Sequence, residues 1–344
     1  GTVLRGLKRY EEALDNFRQA LEAYRAVPGT ARSQAGCLLD IGNALDDLGR
    51  YAEAVDTYGQ ALEAYRQMED ATRNQGVCLE NTGNTLCRMS RYAEALASYR
   101  QALELYRSQG GTEREQGMCL RNTGLALHGL EKHEEALEAY RQALELYRQV
   151  EGTQKDQADC LGQTGNTLRV TGRHEEALEA YRQALELYRQ VEGSERDQAL
   201  CLHGTGLALH ALGRYEEALA SYRDALGLYH QVDGTQKDQA LCLYGTGNTL
   251  RQVGRYGEAC IAFQEALGLY AQVEGTQRDQ ASCLYNTGLA LGSMERHEEA
   301  LASYRDALVL YRQAEGTEKS QAECLNGIGK ALHATGRYAR AREA

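Results

Sequence analysis

The protein has 344 residues, one proline, no tryptophan and a formal net charge of −11, from 38 basic and 49 acidic side chains. Alanine, leucine, glutamate, glutamine and arginine predominate, and these residues favour helices, whereas the β-branched residues that favour strands are sparse. No apolar run approaches the ~20 residues of a membrane-spanning helix, and the arginines alternate with glutamates instead of forming the basic stripe of a nucleic-acid binder. The composition therefore predicts an all-α protein with neither a membrane nor a nucleic acid as partner.

Cysteines mark a regular period along the chain. A fixed period of 20–50 residues is typical of stacked repeats, which bury their apolar faces against one another. Equivalent positions in neighbouring repeats lie two helices apart, with roughly 8–10 Å between packed helices, which is too far for a disulfide. We therefore expect reduced, buried thiols and a cytoplasmic protein. The cysteines spaced by 41 residues are Cys37, Cys78, Cys119, Cys160, Cys201, Cys242, Cys283 and Cys324.

Each 41-residue unit contains two helical patterns. In the unit 151–191, the first helix is predicted to run from about residue 155 to 170, after a capping box that begins at Thr153. Ser or Thr recurs at this position in the other units, except at Ala71. Gly172 is the expected left-handed residue that ends the first helix. The second helix is predicted from about residue 174 to 191, where apolar residues recur at helical spacing.

The two helices of a unit are predicted to form an antiparallel hairpin, and the hairpins to stack into one solenoid over residues 1–344. Seven full units are expected, with a partial unit at each end. Gly1 aligns with Gly42 inside a first helix, and Ala344 aligns with Ser303 inside a second helix. Because neither end shows a polar capping repeat, we expect the chain to be a fragment of a longer protein.

These units resemble the tetratricopeptide repeat. That family's pattern is W-x2-L-G-x2-Y followed by A-x3-F and proline over 34 residues; here leucine replaces the first aromatic residue and the closing proline is absent. The seven additional residues correspond to about two helical turns, as in the long repeats of kinesin light chains. The resemblance implies a right-handed superhelical solenoid whose inner groove binds extended peptides. The residues that carry it are Leu161, Thr164, Gly165 and Leu168, then Ala177, Tyr181 and Ala184.

The resemblance places one stripe of each first helix in the groove, namely Asp159, Gly162, Asn166, Arg169 and Val170 in the unit 151–191. This stripe varies between units, from polar in the first half of the chain to more aromatic in the second. Three asparagines match the family's carboxylate clamp, with arginines nearby, although the clamp's lysine is missing. The candidate peptide-binding residues are Asn84, Arg88, Arg121, His128, Asn166, Arg169, His203, His210, Tyr244, Asn248, Arg251 and Tyr285.

Two positions in the first helices alternate from unit to unit. They read Asn-Thr in one unit and Leu-Ala in the next, from Asn84 to Leu289. The alternation indicates that a double unit of 82 residues was duplicated.

The sequence predicts no enzyme, no metal site and no cofactor. His203 and His210 share a helical face, but two histidines are fewer than the three or four ligands of a metal site. Glutamate pairs such as Glu175 and Glu176 open five of the second helices, where they complement the helix dipole. Because these environments repeat, none has the special character of a catalytic acid or base.

Three functional hypotheses follow. The first is a protein interaction scaffold that holds a partner's extended peptide, or a partner domain, in the groove. The second is a sensor or regulatory arm of a larger multidomain enzyme or signalling ATPase. The third is a structural solenoid that self-associates through its uncapped ends.

Overall fold

The computed structural model of this protein describes residues 9–336. In that range the chain forms sixteen α-helices and no strand, which confirms the predicted all-α class. None of these helices combines the length and the apolar character that a membrane crossing requires. The helices are α1 (Tyr10–Arg25), α2 (Ala31–Asp47), α3 (Tyr51–Arg66), α4 (Thr72–Arg88), α5 (Tyr92–Arg107), α6 (Glu113–Gly129), α7 (His133–Tyr147), α8 (Gln154–Val170), α9 (His174–Tyr188), α10 (Glu195–Ala211), α11 (Tyr215–Tyr229), α12 (Gln236–Gln252), α13 (Tyr256–Tyr270), α14 (Gln277–Ser293), α15 (His297–Tyr311) and α16 (Glu318–Ala334).

The helices fall into two compact units, divided between Thr171 and Gly172. The described part of the first unit contains α1–α8, and that of the second contains α9–α16. Even-numbered helices are the predicted first helices, and odd-numbered ones are the second helices. The single solenoid over residues 1–344 stays a prediction, and the helix segments expected before residue 9 and after residue 336 lie outside the described residues. Consecutive helices pack as the hairpins α2–α3, α4–α5 and α6–α7 in the first unit and α10–α11, α12–α13 and α14–α15 in the second.

In each of these hairpins an aromatic ring of the second helix lies on a glycine of the first. A Cβ atom added at Gly83 would meet the Tyr99 ring at 2.5 Å, and one added at Gly124 would meet the Tyr140 ring at 2.4 Å. Both rings are 1% exposed, so they have no free space to move into. The missing side chain therefore lets the two helices approach closely. The other pairs are Gly42–Tyr58, Gly206–Tyr222, Gly247–Phe263 and Gly288–Tyr304.

The predicted capping box is wrong, because its hydroxyl serves the preceding helix. Thr153 makes no side-chain cap to α8; its Oγ1 donates to the Tyr147 carbonyl at 2.6 Å, at the end of α7. In the same way Ser194 donates to the Tyr188 carbonyl at 2.6 Å. That bond engages the last carbonyl of α9, which ends at Tyr188 and not at residue 191 as predicted. Each hydroxyl therefore fixes the turn between one unit and the next.

Left-handed residues follow the first helices, as predicted for Gly172, whose φ is 79°. Ser90, Glu131 and Glu295 replace glycine at three such positions, and their φ angles are 58°, 60° and 60°. Non-glycine residues are strained in this region. The hairpin geometry therefore overrides the local preference of these three residues.

All ten cysteines are free thiols. Seven of the eight periodic cysteines are buried, and Cys37 is half-buried. Burial raises the pKa of Cys78 and of Cys242 to about 12, because the thiolate would lose its hydration. These cysteines serve as small core residues and have little thiolate character.

A carboxyl group is buried where α4, α5 and α6 meet. Glu80 is 5% exposed. It accepts long hydrogen bonds from the Tyr106 hydroxyl at 3.4 Å and from Asn122 Nδ2 at 3.5 Å. Burial raises the pKa of Glu80 to about 7, although the Tyr106 bond and the charge of Arg121 oppose the shift. The folded protein thus binds a proton at Glu80 that the unfolded chain releases at lower pH.

The ring-on-glycine contact can be tested at Gly83. We expect Gly83→Ala to lower the free energy of unfolding by about 1–3 kcal/mol, because the new methyl group overpacks against Tyr99. Gly268→Ala is the matched control, since a Cβ there meets nothing within 4 Å; it should raise stability by roughly 0.5–1 kcal/mol through helix propensity. Urea unfolding followed by circular dichroism measures both. Equal stability of the two variants would contradict the contact.

Glu80 predicts a pH dependence of stability. Its pKa of about 7 in the folded state exceeds the ordinary glutamate value of about 4.3. Protonated Glu80 therefore makes its full contribution to the free energy of unfolding below about pH 4.3. This contribution is lost as the pH rises toward about 7, which lowers the free energy of unfolding by about 2–4 kcal/mol. We expect Glu80→Gln to become more stable relative to wild type across this range in urea unfolding. A stability difference that does not change with pH would show that Glu80 is ionised in the fold.

Candidate peptide-binding surface

The twelve candidate residues all lie on first helices. Asn84, Arg88, Arg121, His128, Asn166 and Arg169 belong to α4, α6 and α8 of the first unit, and the other six belong to α10, α12 and α14 of the second. Within each unit a first helix contacts not only its hairpin partner but also the next first helix along the chain. We call the side chains that bridge or flank these neighbouring first helices the first-helix surface. Each unit carries such a surface of its own.

Asparagine side chains link neighbouring first helices in the first unit. Asn84 Oδ1 accepts hydrogen bonds from the Tyr99 hydroxyl at 2.8 Å and from Asn122 Nδ2 at 3.0 Å. Asn43 Oδ1 accepts the equivalent bonds, from Tyr58 and Asn81, at 2.9 Å each. Because a carbonyl oxygen has two lone pairs, these bonds use the full acceptor capacity of Asn84 Oδ1. The Asn84 oxygen therefore holds the stack together.

Two of the four candidate arginines form ion pairs between first helices. Arg88 Nη1 lies 2.9 Å from Asp46 Oδ2, and Arg121 Nη1 lies 3.0 Å from Asp159 Oδ2. The Arg121 pair is the more protected, since its side chain is 21% exposed, against 51% for Arg88. Both arginines therefore have a carboxylate partner within the chain.

Arg169 and Arg251 differ from this pair. They occupy equivalent positions in α8 and α12, 82 residues apart, and both are half-buried. Their buried Nε atoms lack a hydrogen-bond partner, as does that of Arg121, so the Nε atom does not by itself set them apart. Among the described residues no ion pair is formed by either side chain. Asn166, also half-buried, lies three residues before Arg169 in α8, and Asn248 lies three residues before Arg251 in α12.

His128 and His210 form the same contact in the two units. His128 Nδ1 lies 2.9 Å from Thr167 Oγ1, and His210 Nδ1 lies 2.9 Å from Thr249 Oγ1. Burial lowers the pKa of both imidazoles, and a nearby arginine lowers it further: Arg169 for His128 and Arg251 for His210. Both histidines are therefore favoured in the neutral form.

Aromatic side chains are concentrated on the surface of the second unit. His203, Tyr244 and Tyr285 occupy one position in three successive first helices. Their rings lie 5.8, 5.7 and 5.7 Å from the ring that packs on the glycine of the same hairpin. Burial raises the pKa of Tyr244, and its hydrogen bonds with Asn248 and Asn286 oppose that shift. The second unit therefore presents a row of rings where the first unit presents charged and polar groups.

Sequence reasoning placed the candidates on the first helices but missed the side chains that bond to them. Thr167, Thr249 and Asp46 were not candidates, yet each bonds a candidate residue of a neighbouring first helix. The alternation along the sequence could have indicated the histidine–threonine bonds, because a 41-residue repeat with Leu-Ala and histidine precedes a repeat with Asn-Thr and arginine. Among residues 9–336 no group of three or more histidine, cysteine or acidic side chains is arranged to hold a metal ion.

Solved structures similar to this chain include helical repeat proteins. The quorum sensor NprR from B. thuringiensis, in its apo form, has a TM-score of 0.67 and 16% identity over 99% of this chain and 97% of its own. A Rap protein complexed with Competence and Sporulation Factor has a TM-score of 0.55 and 14% identity over 97% of this chain and 100% of its own. At these identities the similarity shows the fold.

A third similar structure is a signal transduction ATPase with numerous domains from Pyrococcus horikoshii, which carries a tetratricopeptide repeat sensor. Its TM-score is 0.71 with 12% identity, over 97% of this chain and 50% of its own. None of the curated protein sequences matches this chain.

Family models described as tetratricopeptide repeat match most of the sequence. One matches residues 1–67, 77–149, 156–231 and 239–313, and a second matches residues 285–344. These matches agree with the repeated hairpins and with the glycine and aromatic positions that join them. The chain belongs to the tetratricopeptide repeat family.

Proposed function

We propose that this protein is a non-enzymatic interaction scaffold in which the first-helix surface of each compact unit forms a groove for an extended segment of a partner protein. Tetratricopeptide repeats typically serve as interaction scaffolds, and a Rap protein of this fold has been solved with Competence and Sporulation Factor. A cytoplasmic location and the lack of a nucleic-acid partner remain predictions from the free thiols and the acidic composition.

The observation that carries this proposal is the pair of half-buried arginines without an acceptor. Withdrawing a guanidinium from water is unfavourable unless an anion or hydrogen-bond acceptor replaces the hydration. Arg88 and Arg121 receive that compensation from Asp46 and Asp159. Arg169 and Arg251 do not, and both lie on the surface that neighbouring first helices build. A bound partner would supply the missing acceptor, and guanidinium groups hold carboxylates with two parallel bonds.

The rest of the surface contributes to the selection of the partner. The aromatic row His203, Tyr244 and Tyr285 offers ring faces to apolar or aromatic side chains, because aromatic side chains combine a large apolar area with polar edges. Of the twelve candidates, Arg88 and Arg121 are the least suited to ligand capture, since their charges are already paired. The proposed ligand-contacting set therefore centres on Arg169, Arg251 and the aromatic row.

A second candidate function is a ligand-sensing arm of a larger signalling protein. The similarity to half of the Pyrococcus horikoshii ATPase, which carries a repeat sensor, favours this candidate. It uses the same surface and differs only in what the surface controls, so the full-length gene distinguishes it from a free scaffold. The self-associating solenoid is separated by light scattering, since a monomer at all concentrations contradicts it.

The arginine pair gives a direct test on an array of immobilised fifteen-residue peptides. We expect the double variant Arg169→Gln, Arg251→Gln to bind the peptides selected by wild type about tenfold more weakly or worse, because a hydrogen bond to a charged group contributes about 1.5–3 kcal/mol. Thermal melting should be unchanged.

The control variant is Arg100→Gln, Arg305→Gln. It removes the same charge from exposed positions of the second helices α5 and α15. If both double variants bind like wild type, the proposed surface is wrong. If both lose binding equally, the effect is one of net charge, and the surface is again wrong.

A further inference from the structure

Histidine and arginine occupy equivalent positions on neighbouring first helices, once in each unit. His128 of α6 precedes Arg169 of α8 by 41 residues, and His210 of α10 precedes Arg251 of α12 by 41 residues. The proximity is electrostatic as well as positional, because each arginine lowers the pKa of its histidine. The chain thus holds two copies of one His–Arg pair, separated by the 82-residue double unit.

The hydrogen bonds around each threonine fix the tautomer of the histidine. Thr167 Oγ1 donates its proton to the Gln163 carbonyl at 3.0 Å, and Thr249 Oγ1 donates to the Gly245 carbonyl at 2.8 Å. A hydroxyl has only one proton, so in each pair the histidine must donate from Nδ1 to the threonine oxygen. The neutral imidazole therefore carries its proton on Nδ1 and a lone pair on Nε2.

The charged and titratable groups around the two histidines are of one sign or neutral. His128 faces Arg169 of α8 and the ring of His133 of α7, at 5.2 Å between ring centroids. His210 faces Arg251 of α12 and the ring of Tyr215 of α11, at 5.5 Å. Among the described residues no carboxylate forms an ion pair with these histidines or with either arginine. Each pair therefore combines an arginine that lacks an acceptor with a neutral imidazole. Protonation of that imidazole would place a second positive charge in the pair and is therefore disfavoured.

We propose that each His–Arg pair is a proton-gated site for an aspartate or glutamate side chain of the bound peptide. The carboxylate accepts hydrogen bonds from the guanidinium and, once the imidazole is protonated, from its new Nε2–H. One proton is taken up at each site when the carboxylate binds, and the N–H bond is the one covalent bond that is formed. This inference rests on the proposed peptide groove and adds the side chain that the groove selects and the pH range in which it does so.

The direction of the pH dependence follows from linkage. In the free protein the pKa of each imidazole lies below the ordinary value of about 6.5. A carboxylate beside the ring raises that pKa, because it stabilises the charged form. Binding therefore strengthens as the pH falls between the two values, by about tenfold for each unit by which the bound pKa exceeds the free one. An aspartate ligand stays ionised throughout, since its own pKa is about 3.9.

The test uses the whole chain and two rhodamine-labelled peptides, (Asp-Ser)5 and (Asn-Ser)5, in fluorescence anisotropy at about 0.15 M salt, where exposed charges are screened. We expect (Asp-Ser)5 to bind about tenfold more tightly at about pH 5.5 than at about pH 7.5, and (Asn-Ser)5 to bind weakly at both. The variant His128→Gln, His210→Gln should bind (Asp-Ser)5 with the same affinity at the two values of pH, because it has lost the groups that take up the proton. Arg169→Gln, Arg251→Gln should lose affinity at both.

Nuclear magnetic resonance of the wild-type imidazoles gives a readout that needs no variant. Addition of (Asp-Ser)5 should raise the pKa of His128 and of His210, and leave the imidazole resonances of the exposed His230 in place. Wild-type affinity that is independent of pH, a pH gain that survives in the histidine variant, or a failure of (Asp-Ser)5 to bind each overturns the inference. In all three cases the peptide array decides the proposed groove separately, because that result depends on the arginines and not on the pH.

Discussion

The contact between an aromatic ring and a glycine is the constraint on which the rest of each unit depends. It sets the separation of the two helices in a hairpin, because the ring fills the space that a glycine leaves empty. It also carries the Tyr58 and Tyr99 hydroxyls through the hairpin to Asn43 and Asn84 on the first-helix surface. The ring of each tyrosine thus packs in the core, while the hydroxyl of the same side chain forms a hydrogen bond at the candidate surface. A change in the core contact would displace the surface as well.

Once the hairpins are fixed, the polar side chains of neighbouring first helices form most of their hydrogen bonds and ion pairs with one another. Asparagine bonds to asparagine, Arg88 and Arg121 pair with aspartates, and histidine bonds to threonine. The groups left over are therefore informative, since they are what the stack has not satisfied internally. Arg169 and Arg251 are such groups. Because they occupy equivalent positions in two repeats, chance at one position does not explain why both lack an ion pair within the described part of the chain.

Much of the fold could be predicted from the sequence, because repetition multiplies each local signal. The period, the two helices, the glycine positions and the left-handed turns are all read from spacing. The role of Thr153 was mistaken, because a hydroxyl before a helix serves equally well to end the helix before it, and only the turn geometry decides. The surface was harder to predict. Spacing shows that Arg121 and Arg169 share a helix face, but only the positions of neighbouring helices show that Arg121 has an aspartate partner and Arg169 does not.

The bond between histidine and threonine also restricts how the array can change in length. His128 and His210 each need threonine in the following unit, and the units that carry these histidines carry Ala126 and Ala208 at the threonine position. Loss of the single 41-residue unit that follows either histidine would bring it against Ala208 or Ala290 and leave Nδ1–H without its acceptor. Gain of two adjacent units, or loss of the two that follow His128, keeps threonine beside each of these histidines that remains. Recombination in these steps of 82 residues therefore preserves the histidine–threonine bonds, whereas loss of the one unit after either histidine breaks its bond.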